Sequence, residues 1–297
     1  MTDTAEAPVS SAPTAQAREL AQAHGLVAIA ERPPLRSYVR DLWSRRYFIV
    51  AFASARNIAT FSDARLGQVW QVLTPLLNAG VYFLIFGVLL HTARGVHNFI
   101  AFLVIGIFVF TYTQRSVLSG SKAISSNLNL IRALHFPRAA LPFAFTILEL
   151  QQLLVSMVVM LGIVLITGEP ISFSWLLLVP ILLLQTMFCI GAALAIARVG
   201  AKVTDVSQLL PFVLRTWLYV SGVFYSIKHF TKGAPHIVKV ALDANPGAVY
   251  IELVRDAMLK DHVAVAHAWF YAVFWAFFGL GAGFLYFFRA EQTYGRG

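Results

Sequence analysis

Three ionisable side chains interrupt long apolar runs of the sequence: Arg115, Glu149 and Arg215. If those runs cross a membrane, a charge near the centre of such a helix costs about 2.5–3.5 kcal/mol, which makes these residues functional candidates. A helical rise of about 1.5 Å per residue puts Glu149 roughly 15 Å and Arg215 roughly 9–12 Å into their runs. We therefore expect Glu149 and Arg215 to form an ion pair or a shared polar path. For Arg115, near the end of its run, snorkelling of the guanidinium to the membrane interface is the favoured interpretation.

The motifs that many enzymes need are absent from the sequence. No Gly-Lys pair occurs, so there is no Walker A loop to cradle the phosphates of ATP. The patterns HExxH, GxSxG and DxD do not occur either. The single cysteine, Cys189, excludes an internal disulfide and a multi-cysteine metal site. His91 and His97 could approach each other, but the eight histidines are scattered along the chain and predict no metal site.

The composition indicates the class of protein. Apolar residues make up 58% of the 297-residue chain and charged residues 12%, and the mean hydropathy is +0.70. Soluble domains contain about 45–50% apolar and about 25% charged residues, so this chain has too little charge to coat a soluble globule. The same values disfavour a disordered chain, a collagen and a nucleic-acid-binding protein. We expect an all-α, polytopic membrane protein.

A helix needs about 20 mainly apolar residues to cross about 30 Å of hydrocarbon. Six stretches within a predicted transmembrane domain at 71–290 meet this requirement: 72–90, 99–118, 139–167, 175–197, 209–227 and 264–288. An even number of spans places both termini on one side, and outside the spans that side carries fifteen Lys and Arg residues against six. The positive-inside rule then predicts both termini in the cytoplasm, although five basic residues in 228–262 weaken the bias.

The polar segments outside the spans differ in character. Residues 1–34, rich in Ala, Thr, Ser and Pro, predict a disordered cytoplasmic tail, and 291–297 predict a second cytoplasmic tail. Within 35–70, the run RRYFIVAFASAR has arginine at both ends of a short apolar segment, which favours a helix lying in the headgroup plane. A cytoplasmic helix packed on the protein's own loops is the alternative. Residues 245–259 predict an amphipathic helix that either dips into the outer leaflet or lies on the surface.

Aromatic residues make up 13% of the chain, and many sit at span ends, where an interfacial belt explains them. Others recur deeper in the first and fifth predicted spans: Tyr82, Phe83, Phe86, Trp217, Tyr219, Phe224 and Tyr225. Tyr and Trp combine a flat apolar face with a polar group, which suits sliding contact with sugar rings. Ordinary packing between helices explains any one of these rings equally well.

Three stretches resemble the transmembrane subunit of ABC exporters for cell-surface polysaccharides, the O-antigen and teichoic-acid type. LGQVWQVLTPLL at residues 66–77 is similar to the entry into that family's first span. NLIRALHFPRAALP at residues 129–142 resembles its cytoplasmic coupling segment and is the most specific match. NPGAVYIELVRDAML at residues 245–259 resembles the element before its last span. The order of these stretches, the six spans and the topology agree over roughly residues 35–290.

The resemblance implies a homodimeric, channel-forming permease that is not an enzyme and binds no cofactor or metal itself. Two copies of a separate ABC ATPase would hold the ATP and Mg²⁺. The cargo would be a polyprenyl-pyrophosphate-linked polysaccharide, moved from the cytoplasmic to the outer side of a bacterial inner (plasma) membrane. The first and fifth spans would line the channel, and residues 35–60 would form an amphipathic interface helix. The ATPase would be contacted by Arg132, His135, Phe136, Pro137 and Arg138. Outer gate helices at 235–260 would carry Asn245, Pro246, Glu252, Arg255 and Asp256.

Two alternatives stay open. A permease of the same architecture could carry a drug or another lipid, and a membrane-embedded enzyme of lipid or glycan synthesis would belong to a different class. A neighbouring gene for a Walker-type ATPase would exclude the enzyme, and adjacent glycosyltransferase genes would favour a glycan over a drug. The excess of 17 Arg over 6 Lys is typical of GC-rich genomes, which makes an actinobacterial-type galactan one candidate cargo.

Overall fold

The computed structural model describes residues 34–62, 67, 69–89, 96–134, 136–203, 205–231, 233, 235–265 and 267–291. All regular structure within these residues is helical, which confirms the all-α prediction. The predicted tails lie outside the described residues except for Pro34 and Glu291, as do His91 and His135. In chain order the α-helices are α1 (Leu35–Ser44), α2 (Arg46–Ser62), α3 (Val69–Tyr82), α4 (Phe99–Lys122), α5 (Leu128–Ala133), α6 (Ala140–Ile166), α7 (Leu178–Lys202), α8 (Val206–Val220), α9 (Ile227–Phe230), α10 (His236–Asp243), α11 (Pro246–Met258) and α12 (Ala268–Phe288).

Five of the described helical segments are long and apolar enough to cross a membrane. They are α3 with the π-helical turn Phe83–Leu89, then α4, α6, α7 with the 3₁₀ turn Phe173–Leu177, and α12. These segments coincide with the first four predicted spans and the last one. Their length and apolar composition made them visible in the sequence.

The fifth predicted span, 209–227, has a more broken structure than the others. α8 contains 15 residues and ends at Val220, so it is about 22 Å long and shorter than the roughly 30 Å of hydrocarbon. Gly222 follows with φ of 65°, a left-handed conformation that ends a helix at little cost for glycine. The short helix α9 then begins at Ile227. The count of six spans therefore stays a prediction.

Helix α11 lies inside the bundle rather than on its surface. Asn245 caps its N-terminus, because its side-chain oxygen accepts a hydrogen bond from the Gly247 N–H at 3.0 Å, and Pro246 occupies the first turn. Almost every residue of the helix is buried, including Glu252 and Arg255 on the face predicted to be polar. The alternative of an ordinary surface helix is therefore wrong, since the charged face is turned into the protein.

Helix α4 occupies the centre of the bundle and is the most deeply buried of the five long helices. It packs against α6 and α7 along its length and against α11 near its start. The tightest helix pair is α7 with α12, where a Cβ placed on Gly191 would lie 2.1 Å from the carbonyl oxygen of Gly279. Glycine at this crossing lets the two backbones touch, as small residues do between membrane helices.

Candidate functional site

The predicted coupling segment, residues 129–142, is hydrogen-bonded to residues near both ends of the described chain. The carboxylate of Glu291 accepts hydrogen bonds from the Tyr38 hydroxyl at 2.8 Å and from the Arg138 backbone N–H at 3.0 Å. The Arg138 guanidinium donates to the backbone carbonyl of Glu291, and the Ala139 N–H donates to the Tyr38 hydroxyl. We call Tyr38, Arg138, Ala139 and Glu291 the coupling network. It joins α1, the start of α6 and the end of α12.

Of the remaining predicted coupling residues, Phe136 and Pro137 directly precede this network in the sequence. Phe136 is half-buried, and its ring centroid lies 5.5 Å from that of Phe48 on α2. Pro137 is also half-buried, and its carbonyl accepts from the Ala140 N–H at 2.9 Å in the first turn of α6. Arg132 is exposed at the end of α5, whereas His135 falls outside the described residues. The segment therefore presents Arg132 outward while Phe136 and Arg138 anchor it.

Sequence reasoning missed two members of the coupling network, Tyr38 and Glu291. Burial raises the pKa of the Glu291 carboxyl, and the backbone N–H of Arg138, the Tyr38 hydroxyl and the Arg138 charge offset only part of that shift. Acidic residues are rarely buried. The only signal in the sequence was the position of Glu291, which closely follows an apolar span. Glu291 was grouped with the C-terminal tail because nothing in the sequence shows that the chain folds back onto α1.

The three intramembrane charges do not pair as predicted. Glu149 accepts a hydrogen bond from the Ser119 hydroxyl at 2.5 Å, and it forms no ion pair with Arg215 in the described part of the chain. Arg215 is exposed on α8, where its neighbour Leu214 packs into the bundle. The predicted Glu149–Arg215 ion pair is wrong because similar depth along two helices does not fix the direction in which each side chain points.

The side chain of Arg115 is held inside the bundle by hydrogen bonds that run through two side-chain amides. Its guanidinium donates to the Gln152 side-chain oxygen at 3.1 Å, and the Gln152 amide donates to the Asn57 oxygen at 3.3 Å. Arg115 and Glu149 line one small cavity of about 20 Å³ between α3, α4 and α6, which is room for a single water molecule. The Arg115 guanidinium thus has a partner within the bundle, which the snorkelling interpretation did not include.

The deep aromatic residues of the first and fifth predicted spans meet each other. Phe224 is buried and its ring stacks on Phe86 at 4.5 Å, with Tyr82 at 4.7 Å and Tyr219 at 5.3 Å. The other three predicted aromatics have different partners, namely Phe83 with Phe99, Trp217 with Phe110, and Tyr225 with Phe230. We call Tyr82, Phe86, Tyr219 and Phe224 the aromatic cluster. Contact with sugar stays a prediction for all seven residues.

Arg255 is fully buried and organises the end of the bundle opposite the coupling network. Its guanidinium donates to the carbonyl oxygens of Phe102 at 3.0 and 3.1 Å, Gly222 at 2.9 Å and Val223 at 2.9 Å. It also donates to the Glu252 carboxylate at 3.2 Å. The arginine therefore joins α11 to α4 and to the turn after α8. Gly106 leaves the space, since a Cβ there would lie 2.5 Å from the guanidinium.

Glu252 bridges Arg255 and the imidazole ring of His262. The His262 Nε2 atom lies 2.8 Å from the other carboxylate oxygen. Burial by itself would raise the pKa of Glu252, but the hydrogen bond and charge of His262, together with Arg255, outweigh it and lower the pKa. The carboxylate is therefore ionised at neutral pH. We call Glu252, Arg255 and His262 the arginine network.

The loops at this end are joined to one another by further polar contacts. Asn98 donates to the Thr167 carbonyl at 3.2 Å and to the Glu169 carboxylate at 3.1 Å, and Glu169 accepts from the Lys260 N–H at 3.0 Å. Asp256, a predicted gate residue, accepts from the Ala264 N–H at 3.0 Å. Sequence reasoning missed Asn98 and Glu169, because nothing local relates these two loops.

The sequence of the chain is similar to those of characterised transport proteins. Residues 48–259 match the ABC-2 type transporter family. The O-antigen export system permease protein RfbA of Myxococcus xanthus is 23% identical over 205 residues, which cover 69% of this chain and 78% of the relative. A protein of the same name from Klebsiella pneumoniae is 22% identical over 56% of this chain and 64% of the relative. The polysialic acid transport protein KpsM of Escherichia coli is 24% identical over 70% of this chain and 80% of the relative. Because the family match extends over well more than half of the sequence and includes four of the five long apolar helices, this chain belongs to the ABC-2 type transporter family.

Proposed function

We propose that this chain is the permease subunit of an ATP-driven exporter that moves a polyprenyl-pyrophosphate-linked polysaccharide from the cytoplasmic to the outer side of the bacterial inner membrane. Relatives named for the export of O-antigen and the transport of polysialic acid support a polysaccharide cargo. The chain itself is not an enzyme, and the ATP and Mg²⁺ belong to a separate ATPase subunit. The excess of basic residues around the coupling network supports a cytoplasmic position for that end, with both termini inside.

The proposal of a polar path for the cargo depends on one observation: α3 and α8 are apolar helices that expose polar side chains. Asn78 and Thr74 are exposed on α3, and Arg215 and Thr216 are exposed on α8. Polar side chains at membrane depth face other protein or a water-filled cavity, because contact with lipid is costly. The two helices are neighbours, since Tyr82 of α3 and Tyr219 of α8 both contact the ring of Phe224. A second copy of the chain facing α3 and α8 would enclose this surface.

A path of this kind suits a long polar chain. A glycan needs continuous wetting and weak, repeated contacts, because tight binding at any point would stop movement. Hydroxyl, amide and guanidinium groups on α3 and α8 supply hydrogen bonds, and Tyr219 presents a ring at the edge of the same surface. In the proposed path, Arg56 and Arg115 would attract the anionic pyrophosphate as it enters from the coupling end.

The coupling network gives the ATPase a route into the bundle. In the proposed complex, each of two ATPase subunits contacts Arg132, His135, Phe136, Pro137 and Arg138 of one permease copy. Force on this segment acts directly on α4 and α6, which it connects, and on α1 and α12 through Tyr38 and Glu291. The segment is therefore coupled to four helices by covalent or hydrogen bonds, and cannot move without displacing them.

The decisive experiment is transport by the purified permease–ATPase complex in proteoliposomes. ATP should drive lipid-linked glycan across the bilayer and glycan should stimulate ATP hydrolysis, whereas the permease alone should do neither. Arg132→Glu should abolish coupling, with Arg36→Glu, an exposed arginine on α1, as the matched charge reversal. Stimulation by drugs but not by glycan, or uphill transport without the ATPase, would overturn the proposal.

A further inference from the structure

A furrow of about 550 Å³ runs along the outside of the bundle between α7 and α12. Small residues form its floor, among them Ala195, Ala282 and Gly283. Aromatic rings form its walls, among them Trp275, Phe278 and Tyr286. The furrow is therefore an apolar groove on the outside of the bundle, open to the surrounding membrane.

The furrow follows from the close crossing of α7 and α12. A Cβ on Gly283 would lie 2.0 Å from the carbonyl oxygen of Gly191, so the backbones touch and leave a shallow valley above the crossing. From Trp275 to Arg289 the helix rises about 21 Å, which matches the roughly 20–22 Å depth of one leaflet with its headgroup region. The valley therefore has the length of a single lipid, acyl chain and headgroup, in the leaflet on the coupling side.

Positive charge is concentrated at one end of the furrow. Arg289 lines that end. Arg198 lies over the ring of Tyr286 at 4.1 Å and donates to the Tyr286 carbonyl at 2.5 Å. The Arg198 Nε atom is buried and has no hydrogen-bond acceptor within the described residues. Lys202 lies one helical turn beyond Arg198 on the same face of α7. Arg289 thus lines one end of the apolar valley, and Arg198, which has an unused N–H donor, contacts its wall at Tyr286.

We propose that this furrow binds one anionic phospholipid, with an acyl chain along Ala195 and Ala282 and the phosphate between Arg198 and Arg289. Basic pockets between membrane helices on the cytoplasmic side bind anionic headgroups, and guanidinium groups form strong charge-assisted hydrogen bonds to phosphate. A second copy of the chain fits less well, because a symmetric contact would bring the same cations together from both sides. The lipid supports the α7–α12 pair and is separate from the cargo.

Lipid titration of the detergent-purified complex, followed by native mass spectrometry, tests the proposal. Phosphatidylglycerol should bind more tightly than phosphatidylcholine. In the double variant Arg198→Gln/Arg289→Gln this preference should disappear, with about thirtyfold weaker binding of phosphatidylglycerol, since each near-surface arginine contributes roughly fivefold. Arg198→Lys/Arg289→Lys should keep much of the affinity. The matched control Arg36→Gln/Arg40→Gln removes two exposed charges from α1 and should leave the affinity unchanged.

Two further variants separate the acyl chain from the headgroup and the lipid from a protein partner. Ala282→Leu fills the furrow and keeps both arginines, so it should weaken phosphatidylglycerol binding without changing the Tm measured in lipid-free detergent. Ala282→Cys should not form a disulfide-linked dimer in membranes, because a lipid covers this position. Equal binding of the two lipids to the wild type, full binding by the double glutamine variant, or an efficient Ala282→Cys cross-link would overturn the proposal. None of these outcomes bears on glycan transport.

Discussion

Replacing Arg255 with methionine removes the buried charge on which the arginine network depends. Methionine is apolar and ends about where the Arg255 Nε atom lies, so it replaces the stem of the side chain while the hydrogen bonds to Phe102, Gly222 and Val223 are lost. Glu252 would then stay buried with one of its two ionic partners missing. Removing one member of a buried ion pair costs about 3–5 kcal/mol, because the other charge is left without compensation. We expect Arg255→Met to fall within that range.

Thermal unfolding of the detergent-solubilised protein, followed by size-exclusion chromatography, measures this loss. A change of 1 kcal/mol shifts the Tm by about 2–4 °C in a protein of 150–250 residues, so the Tm of Arg255→Met should fall on the order of 10 °C. The double variant Arg255→Met/Glu252→Gln removes both charges and should recover part of the loss. Lys239→Met removes an exposed cation from α10 and should have the same Tm as the wild type.

The double variant decides the interpretation. If it is as unstable as Arg255→Met alone, the loss comes from the three carbonyl contacts and not from the stranded Glu252 charge. If Arg255→Met itself melts with the wild type, the arginine does not hold α11 to α4, and the reasoning from burial is refuted.

Three other changes test different parts of the structure. Gly191→Ala should reduce the yield and the Tm of the folded protein, because its Cβ would lie 2.1 Å from a carbonyl oxygen. Gly162→Ala is the control: no atom lies within 4 Å of its Cβ, so its Tm should match or slightly exceed that of the wild type. The partners of Glu252 lower its pKa below 4.5. The stabilisation that the ionised carboxylate provides is therefore complete above about pH 4.5 and is lost as the pH falls through the folded-state pKa. The Tm of the wild type should show this loss, and the Tm of Glu252→Gln should not. Glu291→Gln keeps an acceptor for Arg138 and removes a buried charge, so it should still co-purify with the ATPase, whereas Glu291→Ala should not.

The membrane helices were predictable from the sequence because their signal is local. Length and apolar composition alone determine whether a segment can cross hydrocarbon, and the first four and the last predicted spans coincide with helices. The helix after Asn245 was recognisable for a similar reason, since its motif is continuous in sequence. The role of the predicted coupling segment stays a prediction. The fifth span was harder because Gly222 ends α8 early, and a single glycine inside an apolar run does not by itself predict such a break.

Contacts between distant segments could not be predicted, because sequence patterns do not fix how helices are rotated about their axes. Glu149 and Arg215 lie at similar depths, yet one points toward Ser119 and the other is exposed on α8. Arg255 was expected on a polar helix face, and its actual partners are carbonyl oxygens 32 to 153 residues away. Main-chain carbonyls carry no residue-specific signal, so no composition or spacing argument could have identified them.

The same two helices take part in the networks at both ends of the bundle. α4 offers the Phe102 carbonyl to Arg255 near its start and leads into the coupling segment at its end. α12 donates from Trp275 to the Ala244 carbonyl, next to α11, and is followed by Glu291 in the coupling network. Because α12 is also locked to α7 by the glycine crossing, it can shift only as a rigid body with α7. A displacement imposed on the predicted coupling segment would therefore reach α11 through packed helices.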